Sequence, residues 1–164
     1  MSSDDMRRAA TYGIYRALFA ARSAYPAKTL RSVLTELLYA EPLAWRVVGV
    51  TRAALAAYRD AGFRPITGIE RAHLTDRHRT IAALLDGPEP LPQEALFRLW
   101  DDADRVVIAL RAENRSGVLS DWLPIRPDTG FFPRRGIGFA FRIGVEGALM
   151  RDLAAQQDRG APAS

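Results

Sequence analysis

Apolar positions along this chain fall into alternating helical and extended patterns. Tyr12, Tyr15 and Phe19 recur at helical spacing in an alanine- and arginine-rich stretch from Asp4 to Tyr25, which predicts a helix docked by one face and broken at Pro26. Leu30, Val33, Leu34, Leu37 and Leu38 mark a second helix ending near Pro42, with Arg31, Ser32, Thr35 and Glu36 on its polar face. The β-branched run Trp45–Val50 predicts a buried strand. Thr51 then caps a helix that points Leu55 and Tyr58 inward and stops at Gly62. An extended stretch is expected from Ile66 to Leu74. Thr75 or Asp76 opens a helix with Ile81, Leu84 and Leu85 on one face, and Pro92 opens another bearing Leu96, Leu99 and Trp100. Arg105–Leu110 reads as a second buried strand.

Ser116-Gly117, Pro124, Pro127 and Gly130 predict a loop-rich connection after Asn114. From Gly136 to Val145 the pattern alternates strictly, with Ile137, Phe139, Phe141, Ile143 and Val145 on one side and mostly small residues on the other, as in a strand. Glu146 to Gln157 reads as a terminal helix with Leu149 and Leu153 inward, followed by a flexible tail over 158–164. No internal repeat and no linker is visible. The irregular mixture predicts an α+β fold: a single compact domain over 1–157, with several helices packed on a small mixed sheet.

Composition narrows the classes. With 48% hydrophobic and 26% charged residues among 164, a disordered, collagen-like or disulfide-stapled chain is excluded. The absence of cysteine removes thiol chemistry and cysteine–zinc sites. No run approaches the ~18 apolar residues of a membrane span. The start Met1-Ser-Ser-Asp-Asp is acidic where a secretory leader is basic and then apolar, so a cytoplasmic bacterial or phage protein without a membrane partner is expected. The formal charge is +4, and of 23 cations only Lys28 is a lysine. Guanidinium groups grip phosphates with a planar fork, which raises a nucleic-acid partner, DNA or RNA. Codon bias that raises arginine and alanine together is the competing explanation, and local clustering has to decide.

Chemistry-bearing residues concentrate in Glu70-Arg-Ala-His-Leu-Thr-Asp-Arg-His-Arg-Thr (70–80), which holds both histidines, His73 and His78. As a strand, 68–74 puts Arg71 and His73 on one face. His73 then precedes a helix whose first turn carries Arg77, His78 and Arg79, where unpaired N–H groups favour phosphate. An imidazole in that setting suits a general base. Glu113 and Asn114, at the exit of the Arg105–Leu110 strand, supply a carboxylate to orient the base and an amide oxygen for a hard metal such as Mg²⁺. A divalent ion on a phosphate plus one base is sufficient equipment for phosphodiester cleavage.

The acidic-Arg-small-His element Glu70-Arg-Ala-His73 with the distant Asn114 resembles the ββα-metal (HNH-like) nonspecific nucleases. The resemblance covers about six residues; Glu70 stands where that family has aspartate, and Ala72 where it has glycine. It implies that His73 is the base, Asn114 the Mg²⁺ ligand and Arg71 a phosphate contact.

The segment 128–142 interleaves Phe131, Phe132, Phe139 and Phe141 with Arg134, Arg135 and Arg142, a mixture that nucleic-acid surfaces use for stacking and phosphate contact. With Arg111 and Arg115 these arginines extend the expected interface. Walker, dinucleotide-binding, Gly-x-Ser-x-Gly and His-Glu-x-x-His motifs are all missing, which disfavours kinases, oxidoreductases and serine hydrolases. The leading expectation is a small Mg²⁺-dependent nuclease. The alternative is a non-enzymatic nucleic-acid-binding or phage or plasmid accessory protein, acting as inhibitor or adaptor, with a homodimer or a protein partner left open.

Overall fold

The computed structural model describes residues 2–41, 44–126, 130–135 and 138–160. Helices and a small mixed sheet make an α+β architecture. The chain divides into two compact units, one from residues 1–45 with 75–105 and one from 46–74 with 106–164. Each unit is assembled from two separated stretches, so no linker composition marks the division.

The helical unit contains α1 (Ser3–Ala20), α2 (Ala27–Tyr39), α4 (Arg77–Leu85) and α5 (Gln93–Ala103). Ser2 and Asp5 close α1 with a reciprocal capping box: the Ser2 hydroxyl accepts from the Asp5 amide, and the Ser2 amide donates to the Asp5 carboxylate. The predicted apolar faces meet in one core. Tyr15 and Phe19 of α1, Leu34 and Leu38 of α2, Leu84 of α4 and Trp100 of α5 are all nearly inaccessible. Each such side chain contributes roughly 1.5–3 kcal/mol by leaving water. The Tyr15 hydroxyl serves this core twice, donating to the Leu84 carbonyl and accepting from the Leu91 amide, both at 2.9 Å.

The sheet unit contains β1 (Arg46–Thr51), α3 (Arg52–Asp60), β2 (Ile69–His73), β3 (Arg105–Leu110), α6 (Arg111–Ser116), β4 (Trp122–Pro124), β5 (Arg134–Arg135), β6 (Gly138–Phe139) and α7 (Glu146–Gly160). The main sheet has the order β2-β3-β1-β4. Its outer pairs are antiparallel, with Ile69 opposite Leu110, His73 opposite Val106 and Gly49 opposite Pro124. A mixed sheet with both outer pairs antiparallel leaves β3 and β1 as the parallel central pair. β1 and β3 are buried along almost their whole length, as expected of strands covered on both faces.

Four elements differ from the sequence expectation. β4 lies inside the predicted loop, because three residues carry no readable period and the pairing with β1 is a long-range event. α6 begins directly after β3, where a turn was expected at Glu113-Asn114. The predicted strand over 136–145 is reduced to β6, with Gly136 and Ile137 outside the described residues. From Arg142 the chain turns into α7, and Ile143 and Val145 are exposed rather than inward. The terminal helix continues to Gly160, where the flexible tail was expected from 158, because Arg59 of α3 donates to the Asp158 carboxylate and to the Ala154 carbonyl. Residues 161–164 of that tail lie outside the described residues.

Gly49 is required by close approach. A Cβ there would sit 2.1 Å from the Trp122 ring and 2.8 Å from the Leu123 carbonyl oxygen. Gly49→Val is therefore expected to cost about 1–3 kcal/mol by overpacking. A urea midpoint equal to that of the unaltered protein would show that the Trp122 ring does not lie against β1.

Candidate functional site

The residues expected to form the catalytic and phosphate-binding site are distributed over the sheet unit and, for Arg77 and Arg79, the helical unit. His73 is half-buried at the C-terminal end of β2, opposite Val106. Asn114 lies in α6, beyond the other end of the paired segment, and its side-chain amide donates to Glu70 Oε2 at 2.9 Å. Glu70 and His73 are three residues apart on one strand and so project from opposite faces. The register adds a displacement along the sheet: Val106 and Leu110 are separated by about 13 Å at ~3.3 Å per residue. The base and the metal ligand implied by the nuclease resemblance therefore do not converge.

The acidic partners have other work. Glu70 Oε1 accepts from Arg111 Nε at 2.6 Å, and the hydrogen bonds from Asn114 and then Arg111 hold the Glu70 carboxyl below its ordinary range. Glu113 Oε2 accepts from the Leu110 amide at 2.8 Å and from Thr51 Oγ1 at 2.7 Å. Thr51 Oγ1 in turn caps α3 by accepting from the Ala54 amide at 3.1 Å. Glu113 thus ties the starts of α6 and α3 together at the ends of the parallel strands, rather than orienting His73. Among the described residues no group of three His, Asp or Glu side chains is placed to hold a metal ion. With the Asn114 amide turned to Glu70 and the imidazole on the far face, these residues do not fit a Mg²⁺ site.

Several expected phosphate contacts are internal. Arg71 is 7% exposed and donates to the Gly138 carbonyl at 2.6 Å, which fastens β6 to β2. Arg77 donates to Asp104 at 2.5 Å and lies over the Trp45 and Trp100 rings at 4.7 and 5.4 Å. Arg142 binds the Glu146 carboxylate and the Gly130 carbonyl. The aromatic partners of that segment are also spent internally. Phe141 stacks on Tyr58 at 4.9 Å, and Phe132 meets Phe139 edge-on at 5.5 Å. Arg79 and Arg115 are exposed, as is Arg111 despite its ion pair. The side chains of Arg134 and Arg135 lie outside the described residues, although their backbone pairs with β6.

A different concavity occurs in the helical unit. A groove of about 790 Å³ runs between the α1–α2 turn, the first turns of α2, and α4. Leu30, Ile81 and Leu85 form an apolar floor, and Arg22, Arg31 and His78 bring positive and hydrogen-bonding groups to it. Arg31 donates to His78 Nδ1. A guanidinium has no acceptor, so in this contact the imidazole Nδ1 is the acceptor. Arg22 is held in place by its own donation to the Phe19 carbonyl at 2.9 Å and by the Phe19 ring at 3.8 Å. The volume lies within the ~300–1,000 Å³ usual for small-ligand sites.

The sequence pattern missed this site. Arg31 reads as one member of a solvated helix face, and His78 as a surface residue one turn into a helix. The available signal was the pair of broken helices: Pro26 ends the first pattern just before Arg31, and Asp76 starts α4 just before His78. Which two polar faces meet is not encoded in either period.

No family model, no curated protein and no solved structure matches this chain. No helix among the described residues is long and apolar enough to cross a membrane.

Proposed function

We propose that this protein binds nucleic acid without cleaving it, taking backbone phosphate in the groove of the helical unit. The observation that carries this reading is the convergence of Arg22, Arg31 and His78 on one groove. Fixed guanidinium groups suit phosphate because they offer several donors in a plane and remain charged at every working pH. Lys28, exposed in the first turn of α2, adds to the positive field, and Asp86 is the one carboxylate among the groove's lining residues. The nuclease alternative lacks support from geometry, since Asn114 is bonded to Glu70, which projects from the face of β2 opposite to that of His73.

Binding of a labelled oligonucleotide by the full chain is expected to weaken steeply with salt. Arg31→Ala is expected to weaken it by about tenfold and to reduce the salt slope by about 1, with Arg31→Lys retaining most of the slope. His73→Ala is expected to bind as the unaltered protein does, with no cleavage by either in Mg²⁺. Cleavage that disappears in His73→Ala would restore the enzymatic reading, and the absence of oligonucleotide binding at low salt would remove the proposed one.

A further inference from the structure

Resting on that reading, we infer that the groove takes single-stranded nucleic acid, seating one unpaired base on the apolar floor beside Tyr25 with its phosphate at Arg31 and His78. Tyr25 lines the groove from the α1–α2 turn and is 55% exposed, one of the few large apolar side chains the fold leaves in water. A phenol ring beside an apolar floor offers a stacking surface to any base, since every base has a π-face. A duplex turns its bases inward and presents only phosphates and groove edges, so it reaches the arginines but leaves the exposed Tyr25 ring without a stacking partner.

The charge layout gives the site a direction. His78 lies in the first turn of α4 and Asp86 caps its C-terminal end. Eight residues at ~1.5 Å rise place them about 12 Å apart along the helix. Phosphate is favoured at the Arg31–His78 end, where the guanidinium and the imidazole lie together, and is repelled at the Asp86 end. A carboxylate there accepts from a base N–H, such as the N3–H of thymine. Arg22 is preorganised, because its contacts with Phe19 fix the guanidinium before a ligand arrives.

The test is fluorescence anisotropy with a labelled twelve-nucleotide thymidine strand, the same strand annealed to its complement, and an abasic strand of equal charge. The single strand is expected to bind about tenfold or more tighter than the duplex, with Tyr25→Ala losing about tenfold for the single strand alone and leaving the salt slope unchanged. Tyr25→Phe is expected to restore the affinity, and the abasic strand to bind the unaltered protein as the full strand binds Tyr25→Ala. Equal affinity for single strand and duplex, or no effect of Tyr25→Ala, overturns this inference while the broader reading stands if Arg31→Ala weakens both ligands. If Arg31→Ala weakens neither, or a polyglutamate peptide binds where the oligonucleotides do not, both fall.

Discussion

Replacing Asp104 by alanine is expected to remove about 3–5 kcal/mol of stability, the cost of leaving a buried ion pair without one member. Asp104 is 2% exposed and stands at the C-cap of α5, where its carboxylate accepts from Arg77 at 2.5 Å and from the Trp45 amide at 2.8 Å. Trp45 stands at φ 60, a left-handed conformation that a large residue adopts only when its surroundings enforce it. Without Asp104, Arg77 keeps the two indole faces but loses its counter-charge, and the strained turn loses its anchor. A urea titration followed by tryptophan fluorescence reads the change. A loss below 1 kcal/mol would mean that water or another acceptor takes over both donors.

Glu146→Ala is expected to cost about 3 kcal/mol, from two orphaned amide donors at roughly 1–3 kcal/mol each and a lost ion pair. Glu146 is fully buried, yet it accepts from the Phe132 amide at 2.9 Å, the Arg142 amide at 2.5 Å and the Arg142 guanidinium at 2.5 Å. Arg142 is half-exposed, so water compensates its charge after the substitution and the total stays at the lower end for a buried pair. Burial pushes the Glu146 carboxyl up, but the Arg142 guanidinium and the backbone amides push it down further, so it titrates below its ordinary value in the folded state. The stabilisation is therefore present above the unfolded value near ~4.3 and is lost as pH falls through the folded value. Acid titrations of stability should show a shallower loss in Glu146→Ala than in the unaltered protein. Parallel acid limbs would show that the carboxylate is not held ionised by these partners.

The two carboxylates use one device. Each holds the amide of an aromatic residue at positive φ, Trp45 at 60 and Phe132 at 53, while pairing with an arginine. This explains a large part of the arginine content without a ligand. Arg8 pairs with Glu41 and Asp101, Arg52 with Asp121, and Arg59 with Asp158. A cluster such as Arg134-Arg135…Arg142 in sequence says only that charge is near in the chain. Whether a guanidinium faces water or a carboxylate is settled by what folds against it, which is why the sequence does not show that Arg77 and Arg142 pair with Asp104 and Glu146.

Local rules were readable where the physics is local. The caps at Thr51 and Asp76, the stop at Gly62 with φ 62, and the inward faces of Leu34, Tyr58 and Trp100 follow from hydrogen bonds and periods within one element. So does β3, whose bounds match the predicted run. The α+β class follows from them, because elements with one apolar face have few ways to bury it. What required tertiary structure is every relation between distant faces: β4 against β1, Glu113 on Thr51, Glu70 on Asn114 instead of His73 on Asn114, and Arg31 against His78. Strand parity alone puts Glu70 and His73 on opposite faces; that Asn114 joins Glu70 rather than His73 was decided by the packing of α6. The groove exists only because the polar edges of α2 and α4 were brought together by burying their apolar sides.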